Sequence, residues 1–437
     1  MILPEAIAPL TRRPVAVLGY GVSGQAATGL LQQCGCAVEA YDERASPGVR
    51  AAFGAPEAKR HDLVVYSPGF PQDHAWLQAA RAAGCKCIGE LDFASLFWKG
   101  KLIAVTGTNG KTTLTEFLAT ALRRQGFSAV PAGNIGHPLS RLDDLDATQD
   151  RVAVCEVSSF QSENLQYLRP HALLWTNFDE DHLDRYPQMR DYFAAKWNLV
   201  ERLAEPRLVV GESVVLAAEK YGCKVPSFAV VVRREGALSL VPKGSVFASY
   251  PQSENYLVAR AYWEQAGYPL KVLDETAQSF STRRHRLERL TDWEGVAYWN
   301  DSKGTNFHAT LAALETFPGP VVWIGGGKSK GGDIEAFAAR AAGRVREAFL
   351  IGETAGVLAA GLHTRGVPAT VCESLREAVQ KAHEAGRQSA PVQVLFSPGF
   401  SSFDMFHDYA ERGLAFEQAV LGLKAAPSGV MPEASPA

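Results

Sequence analysis

The chain has 437 residues, more than one hydrophobic core usually organises, so we expect several domains. Hydrophobic residues make up 46% and charged residues 21%, which is typical of a globular protein and argues against a fibrous or disordered chain. A formal net charge of -3 argues against a broadly basic surface, so we expect no nucleic-acid or membrane partner.

Targeting and disulfide signals are lacking in the sequence. The start, MILPEAIAPLTRRP, has no basic segment followed by an apolar run, and no later apolar stretch reaches the length of about 18 residues that crosses a bilayer. Seven thinly spread cysteines predict reduced thiols. The C-x-C pairs Cys34/Cys36 and Cys85/Cys87 lack the spacing of common zinc sites, and we interpret them as structural. We therefore expect a cytoplasmic protein.

The N-terminal segment has the pattern of a strand, helix, strand unit. Residues 15–18, 38–42 and 63–66 predict buried strands, and residues 76–83 predict a helix. Gly19, Gly21 and Gly24 follow the first strand and Asp42 ends the second, which matches the dinucleotide-binding fingerprint. Taken alone, this pattern predicts an NAD site. We assign residues 1–96 to this first, Rossmann-like domain.

A second α/β pattern begins at the buried strand predicted for residues 102–106. The loop Gly107-Thr-Asn-Gly-Lys-Thr-Thr113 follows, and a helix is predicted for residues 111–124. Glycines let backbone N–H groups surround phosphate oxygens, Lys111 supplies a positive charge, and Thr112 can reach Mg²⁺. Val105 stands where the strict phosphate-loop pattern has its first glycine. The sequence still predicts an ATP site, and the alternative is a glycine turn before a helix with an exposed lysine.

Further strands are predicted at residues 152–155 and 172–176, and a helix at residues 189–202. Glu156 directly follows the first of these strands, where a carboxylate can hold the metal that phosphoryl transfer needs. Alternating strands and helices predict a mostly parallel sheet covered on both faces, with ligands at the carboxyl ends of the strands. We assign residues 97–282 to this central domain.

A third α/β pattern follows the basic segment at residues 283–288. Strands are predicted at residues 296–299, 321–324, 348–351 and 392–396. We therefore predict a C-terminal domain over residues 283–424 and a disordered tail, rich in Pro, Ala and Ser, over residues 425–437. The predicted fold class is α/β with three domains: an N-terminal Rossmann-like domain, a central P-loop ATPase-like parallel sheet, and a C-terminal Rossmann-like domain.

Five motifs, in order and far apart, carry a resemblance to a known family. They are Thr106-Gly-Thr-Asn-Gly-Lys-Thr-Thr113, Glu156-Val-Ser-Ser-Phe-Gln161, Thr176-Asn-Phe-Asp-Glu-Asp-His-Leu-Asp-Arg185, Asn300-Asp-Ser-Lys-Gly-Thr-Asn306 and Ser397-Pro-Gly-Phe-Ser-Ser-Phe-Asp404. Together they resemble the Mur ligases and the related folylpolyglutamate synthetases. The last motif is most similar to that of the member that adds D-glutamate. The resemblance implies an ATP-dependent ligase of peptidoglycan precursor synthesis that joins D-glutamate to UDP-N-acetylmuramoyl-L-alanine through an acyl phosphate.

The resemblance also implies roles for individual residues. For ATP it implies Gly107, Thr108, Asn109, Gly110, Lys111, Thr112, Thr113, Asn255, Arg286 and Asp301. It implies that the first domain binds UDP instead of NAD, and for the UDP-linked substrate it implies Val22, Ser23, Gly24, Asp42, Arg44, Ser67, Pro68, Gly69, Asn134 and Ser158. For D-glutamate it implies Thr305, Lys328, Ser402, Phe403 and Tyr409. Lys111, Glu156, His182 and Lys196 are implied to be catalytic. Thr112, Glu156 and Lys196 are implied to lie at one Mg²⁺, and His182 near a second Mg²⁺.

Three positions depart from the family pattern or need extra chemistry. The spacing after Gly325-Gly-Gly327 differs from the expected one, so Lys330 is an alternative to Lys328. An asparagine that commonly accompanies Asn255 corresponds to Gln252. The resemblance also implies that Lys196 is carbamylated by CO₂, which converts a cation into an oxygen-bearing anion suited to Mg²⁺.

Other functions stay open at the level of the sequence. The nearest are another Mur-type ligase, specific for L-alanine or a diamino acid, and a folate-type glutamate ligase, although the extra N-terminal glycine-rich domain disfavours the latter. A nucleotide-binding dehydrogenase or sensor is the alternative from a different class. A second phosphate loop argues against a dehydrogenase, because hydride transfer needs no ATP. We expect a monomer.

Overall fold

The computed structural model describes residues 1–44, 46–135, 137–141, 151–233, 238–248, 251–281 and 284–425. The predicted disordered tail, apart from Ala425, lies outside the described residues. The chain forms two compact units. The first comprises Met1–Phe178, Arg185–Ala248 and Gln252–Phe280, and the second comprises Asp179–Asp184 and the described residues from Ser281 onward.

The first unit begins with a four-stranded parallel sheet in the order β2-β1-β3-β4. Its elements are β1 (Val15–Leu18), α1 (Val22–Gln33), β2 (Val38–Tyr41), α2 (Ala55–Ala58), β3 (Leu63–Tyr66), α3 (Ala75–Ala82), β4 (Lys86–Gly89) and α4 (Glu90–Ser95). Val15 and Val17 pack into one apolar cluster and Ala16 and Leu18 into another. The sheet is thus covered on both faces, which explains the continuous apolar run of β1.

A second, six-stranded parallel sheet completes this unit, in the order β10-β9-β8-β5-β7-β6. Its elements are β5 (Lys101–Thr106), α5 (Lys111–Arg124), β6 (Ser128–Gly133), β7 (Arg151–Glu156), α6 (Ser159–Ser162), β8 (Ala172–Trp175), α7 (Met189–Glu201), β9 (Leu208–Gly211), α8 (Glu212–Tyr221), β10 (Val230–Val232), α9 (Gln252–Gln265) and α10 (Leu270–Ser279). β5 lies between β8 and β7. The loop after β5 is therefore flanked by the residues that end β7 and follow β8.

The second unit contains a six-stranded mixed sheet in the order β11-β12-β16-β13-β14-β15. Its elements are β11 (Glu288–Trp293), β12 (Val296–Asn300), α11 (Phe307–Glu315), β13 (Val321–Gly326), α12 (Ile334–Ala342), β14 (Val345–Ile351), α13 (Ala355–His363), β15 (Ala369–Val371), α14 (Leu375–Gln388), β16 (Val392–Phe396) and α15 (Tyr409–Ala425). β11 is antiparallel to β12, and the other pairings are parallel. Elsewhere in the described chain, short 3-10 helices are formed by Ala8–Thr11, Leu139–Arg141 and Leu238–Leu240.

Three α/β regions with largely parallel sheets confirm the predicted fold class. All seven cysteines are free thiols, as predicted. Among the described residues, no helix combines the length and the apolar composition needed to cross a bilayer. The predicted strand at residues 172–176 ends one residue earlier, at Trp175, and the helix predicted for residues 189–202 ends at Glu201.

Candidate active site

The loop after β5 has the shape of a phosphate-binding loop. Gly107 has a φ of +147° and Gly110 a φ of +85°. A Cβ atom on Gly107 would lie 1.9 Å from Thr176 Oγ1, and one on Gly110 would lie 2.2 Å from Asn255 Oδ1. Only glycine satisfies both the backbone angle and the space at these positions. α5 begins directly after the loop, at Lys111, so its first backbone N–H groups and its dipole favour an anion there.

Three predicted ATP residues sit at the start of α5. The Lys111 ammonium donates to the carbonyl oxygens of Gly107 and Thr108, both at 2.9 Å, which holds the positive charge over the loop. Thr112 and Thr113 are buried in the first turn of the helix. The residues present therefore fit a nucleotide phosphate at this loop.

Two residues that the sequence did not assign to the site hold the loop from the β8 side. Asn177 Oδ1 accepts from the backbone N–H of Asn109 at 2.8 Å, and the Asn177 carbonyl accepts from the N–H of Thr108 at 3.0 Å. The Thr176 hydroxyl donates to the Asn109 carbonyl at 2.6 Å. Thr176 and Asn177 are the first residues of one of the five motifs and directly follow a buried strand. This position in the sequence could have been used to predict that they belong to the site.

Asn255 lies against the loop from α9. Its side chain faces Gly110, and its Nδ2 donates to Gln252 Oε1 at 2.8 Å. The predicted ATP residue is thus adjacent to the phosphate loop, and the residue that replaces the second family asparagine is its hydrogen-bond partner. Gln252 therefore keeps a polar contact at that position.

Glu156, the last residue of β7, presents a buried carboxylate beside the loop. Its Oε1 accepts from Asn134 Nδ2 at 3.1 Å. Its Oε2 is buried and has no hydrogen-bond partner among the described residues. A buried carboxylate oxygen without a partner is costly unless a cation neutralises it. Hard cations such as Mg²⁺ prefer carboxylate and hydroxyl oxygens, so this position fits a divalent cation.

Lys196 is buried in α7, with 1% of its surface exposed. Its Nζ donates to the Gly107 carbonyl at 3.1 Å and to Thr106 Oγ1 at 3.3 Å, and it lies 4.9 Å from the centre of the Tyr192 ring. Most lysines in helices are solvated, so the burial of this one is unusual. Its nitrogen is located at the base of the phosphate loop.

A cleft of about 500 Å³ opens at the ends of β1, β2 and β3. Predicted substrate residues form much of its lining: Val22, Ser23, Asp42, Ser67, Pro68 and Gly69. Asp42 accepts backbone N–H bonds from Tyr20 at 2.6 Å and from Arg44 at 2.9 Å, which uses both carboxylate oxygens. This cleft has the size of a ligand site and the glycine-loop wall of a diphosphate site.

Four other residues predicted for the same substrate are placed differently. Gly24 allows a close backbone approach, because a Cβ there would lie 1.8 Å from the Gly19 carbonyl oxygen. Arg44 is exposed and does not line the cleft. Ser158 caps α6 and accepts from the backbone N–H of Gln161 at 3.3 Å. Asn134 contacts Glu156, as described above.

In the second unit, Asp181 is the centre of a buried polar group. It accepts from the Lys330 ammonium at 2.8 Å and from Asn306 Nδ2 at 3.0 Å. Burial alone would raise the pKa of Asp181, but the charges of Lys330 and His182 and the hydrogen bonds hold it well below its usual range. His182 has a φ of +57°, and its Nε2 lies 3.7 Å from Asp181 Oδ2. Asp181, His182, Asn306 and Lys330 line one small cleft together with Thr305.

The other residues predicted for D-glutamate do not line that cleft. Lys328 is exposed, and its backbone exchanges hydrogen bonds of 2.9 and 3.1 Å with Ser401. Ser402 is buried, whereas 68% of the surface of Phe403 is exposed. The Tyr409 hydroxyl accepts from Lys303 Nζ at 3.2 Å. Of the two alternative lysines, the cleft therefore contains Lys330.

Asp301 and Arg286, predicted for ATP, are close neighbours at the start of the C-terminal sheet. The Asp301 carboxylate accepts from the Leu287 backbone N–H at 3.1 Å and from Ser397 Oγ at 2.7 Å. Burial raises the pKa of Asp301 to about 7, although those hydrogen bonds and the guanidinium groups of Arg286 and Arg412 act in the opposite direction. The Asp301 carboxyl therefore keeps its proton to a higher pH than an exposed aspartate does.

The Asp301→Asn variant is expected to be more stable than the wild type above pH 7. The folded protein binds the Asp301 proton more tightly than the unfolded chain, whose carboxyl has a pKa of 3.8. The free energy of unfolding therefore falls as the pH rises from about 4 to about 7, and asparagine removes this loss. Urea unfolding should show a gain on the order of 4 kcal/mol at pH 8 and little gain at pH 4. A gain of the same size at both pH values would contradict the assigned ionisation.

Comparison with known proteins agrees with this arrangement. The family model described as the Mur ligase middle domain matches residues 105–228, and the model described as the Mur ligase, glutamate ligase domain, matches residues 285–398. The first match covers the phosphate loop, Glu156 and Lys196, and the second covers Arg286, Asp301 and Lys330. The fold and the loop together with these matches define an ATP-dependent ligase of the Mur class.

Relatives that match nearly the whole chain identify the family within this class of ligases. The UDP-N-acetylmuramoylalanine–D-glutamate ligase of Thermoanaerobacter sp. (strain X514) is 31% identical over 457 residues, covering 95% of this chain and 99% of the relative. The ligase of the same name from Gloeobacter violaceus is 34% identical over 442 residues, covering 94% and 99%. This chain belongs to the family of UDP-N-acetylmuramoylalanine–D-glutamate ligases.

A solved structure gives independent support for the fold. The UDP-N-acetylmuramate-alanine ligase of Thermotoga maritima superposes with a TM-score of 0.60 at 18% sequence identity, covering 94% of this chain and 100% of that one. At this identity the likeness concerns the fold alone. It agrees with the order of three α/β regions observed here.

Proposed function

We propose that this protein joins D-glutamate to UDP-N-acetylmuramoyl-L-alanine at the expense of ATP, in the synthesis of peptidoglycan precursors. The observation that carries the proposal is the phosphate loop beside a buried Glu156 oxygen that has no partner in the described part of the chain, in a chain of this ligase family. A parallel-sheet nucleotide site alone is compatible with many activities. The family narrows it to amide-bond formation driven by ATP.

The proposed chemistry begins at the terminal alanine carboxylate of the precursor. A carboxylate is a poor electrophile, and transfer of the γ-phosphoryl group of ATP to it gives an acyl phosphate with a good leaving group. The amine of D-glutamate then attacks the acyl carbon, and the collapse of the tetrahedral intermediate releases phosphate and leaves the amide. Each turnover thus yields one ADP, one phosphate and one amide bond.

The protein's own part is positioning and charge compensation. Lys111, already held over the loop by two carbonyl oxygens, offsets negative charge on the transferring phosphoryl group, and we assign Arg286 the same task. Asp301 accepts from the ATP ribose. Thr112 and Glu156 would hold Mg²⁺, which supplies Lewis-acid stabilisation of phosphate charge when bound, and we assign His182 to a second Mg²⁺. We further propose that Lys196 carries a carbamate that adds oxygen atoms to this set.

We propose that the 500 Å³ cleft receives the UDP part of the precursor, with Ser67, Pro68 and Gly69 on one side and the glycine loop on the other. For D-glutamate we propose Thr305 and Lys330 in preference to Lys328, because the first two line a common cleft. Ser402, Phe403 and Tyr409 stay candidates for the amino-acid carboxylates. We also propose that the enzyme is cytoplasmic, since ATP and nucleotide-linked precursors are cytoplasmic metabolites. It is further proposed to be a monomer of three domains, with boundaries near residues 96 and 282.

The test is phosphate release by purified protein with ATP, Mg²⁺ and UDP-N-acetylmuramoyl-L-alanine. We expect release only when an amino acid is present, and far faster with D-glutamate than with L-alanine or a diamino acid. Lys330→Ala should raise the KM for D-glutamate at least about tenfold, as loss of a charged hydrogen-bond partner does. Lys328→Ala, a matched change on an exposed lysine, should leave that KM nearly unchanged. No ADP with any amino acid would overturn the proposal.

A further inference from the structure

Arg185 makes an unusual set of contacts inside the first unit. Its guanidinium donates to both oxygens of Glu163, at 3.1 and 2.9 Å, and lies over the Phe160 ring at 3.9 Å from the ring centre. It also donates to the backbone carbonyl oxygens of Pro68 and Phe70, at 3.5 and 3.3 Å. Only 13% of the Arg185 side chain and 12% of the Glu163 side chain are exposed.

These contacts join three chain segments that are far apart in sequence. Pro68 and Phe70 belong to the turn after β3, and Phe160 and Glu163 belong to the α6 region, which follows β7. Arg185 itself lies beyond β8, where the chain returns to the first unit after the excursion Asp179–Asp184. One guanidinium group therefore connects the segments that follow three different strands of this unit.

The turn that Arg185 holds is a wall of the substrate cleft. Ser67, Pro68, Gly69 and Phe70 all line that cleft. The same turn packs on the glycine loop opposite, because a Cβ on Gly19 would lie 2.9 Å from the Phe70 ring and 3.0 Å from Ser67. Ser67 Oγ also donates to the Gly19 carbonyl oxygen at 2.9 Å. A shift of the turn would therefore change the shape of the cleft directly.

The partners of Arg185 are themselves fixed. Glu163 also accepts from the Tyr186 hydroxyl, and its backbone carbonyl accepts from Asn198 Nδ2 at 2.9 Å. α6 begins after Ser158, whose side chain and backbone N–H are bonded to Gln161. The planar fork of arginine suits a two-point bond to a carboxylate and stacking on an aromatic ring, and a lysine ammonium does neither. The site is thus built for arginine.

We propose that Arg185 is a positioning residue that fixes the Ser67 to Phe70 turn against α6 and so sets the affinity for the UDP part of the precursor. This inference rests on the proposed function, which assigns the cleft to the UDP-linked substrate. Arg185 touches neither ATP nor D-glutamate in this assignment. Its loss therefore acts on one substrate and leaves the other two nearly unaffected.

The experiment compares the wild type with Arg185→Ala, Arg185→Lys and Phe160→Leu. For each, the KM values for precursor, ATP and D-glutamate are measured, together with the Kd for UDP alone by calorimetry. We expect Arg185→Ala and Arg185→Lys to raise the precursor KM and the UDP Kd about tenfold or more, with the ATP and D-glutamate KM values within about twofold of the wild type. Phe160→Leu, which removes only the stacking, should give a smaller effect in the same direction.

Arg13→Ala is the matched control, because Arg13 also bonds a backbone carbonyl (Lys59, 3.2 Å) and faces a carboxylate (Asp62, 3.6 Å) in this unit, but is 57% exposed. It should leave every KM value unchanged. A lower Tm in the Arg185 variants with an unchanged precursor KM and UDP Kd would overturn the inference and leave a purely structural role. An equal rise in all three KM values would overturn it as well. Failure of the proposed function is distinct, since the wild type itself would then release no phosphate with the precursor.

Discussion

Replacing Lys196 with alanine is expected to lower the turnover by about a thousandfold or more, the range found when a group that stabilises charge at a reacting centre is lost. Lys196 is buried at the base of the phosphate loop, with its nitrogen 3.1 Å from the Gly107 carbonyl oxygen. Reaction of the unprotonated amine with CO₂ forms an N–C bond and releases a proton. In the carbamate proposed above, the nitrogen would keep one N–H, and the two added oxygen atoms would be available as metal ligands.

Chemical rescue distinguishes a carbamate that binds metal from a lysine that only stabilises the loop. Formate or acetate can supply the carboxylate that Lys196→Ala lacks, so these acids should restore part of the lost turnover of this variant in a concentration-dependent way. Lys111→Ala is the matched control, since it loses a lysine at the same loop but has no carboxylate to replace. If neither variant were rescued, and the Tm of Lys196→Ala were close to that of the wild type, the unmodified lysine would be the required group.

The main features of the fold were predictable because burial on both faces leaves a strong trace in the sequence. The strand at residues 15–18 and the one at residues 392–396 were predicted with the observed bounds, as was helix α5. The edge strand β2 was predicted, at residues 38–42, but two other edge strands, β6 and β11, gave no such trace. β6 contains Pro131, and β11 is half exposed, with the polar sequence Glu-Arg-Leu-Thr-Asp-Trp. Edge strands bury one side only and tolerate proline and charge, so their pattern is weak.

The candidate site was predictable where one local segment carries the chemistry. The loop from Gly107 to Thr113 contains its own glycines, cation and hydroxyl groups, and the structure shows them in one place. Contacts between distant segments were not predictable. Nothing in the local sequence links Asn177 to Asn109, Lys330 to Asp181, or Arg185 to the turn at Pro68. The first pair meets because β8 is a neighbour of β5, and the other two pairs join segments that follow strands of different sheets. The unusual spacing around Lys328 was visible in the sequence. Only the structure showed that the small cleft is lined by Lys330 and not by Lys328.

Two glutamates in the first unit have a buried oxygen without a hydrogen-bond partner among the described residues, Glu156 Oε2 and Glu90 Oε2. Each also has one satisfied oxygen: Glu156 Oε1 bonds Asn134, and Glu90 Oε1 bonds the backbone N–H of Ser140 at 3.0 Å. Burial raises the pKa of Glu90, so protonation relieves part of the cost there. At Glu156, a bound cation would offset the cost of burying the charged carboxylate. Glu90 therefore serves as the control for Glu156.

Glu156→Gln should therefore separate stability from activity. Glutamine keeps an oxygen for Asn134 but removes the charge, so we expect the turnover to fall about a thousandfold and the dependence on Mg²⁺ concentration to shift to higher values. Without Mg²⁺, the free energy of unfolding should be unchanged or up to about 1 kcal/mol higher than that of the wild type, because a buried unpaired carboxylate is replaced by a neutral amide. Glu90→Gln makes the same change at a residue outside the phosphate loop and should leave the turnover within about twofold of the wild type. If Glu156→Gln unfolded more easily than the wild type and kept its turnover, Glu156 would be a structural residue and the metal would have to be held elsewhere.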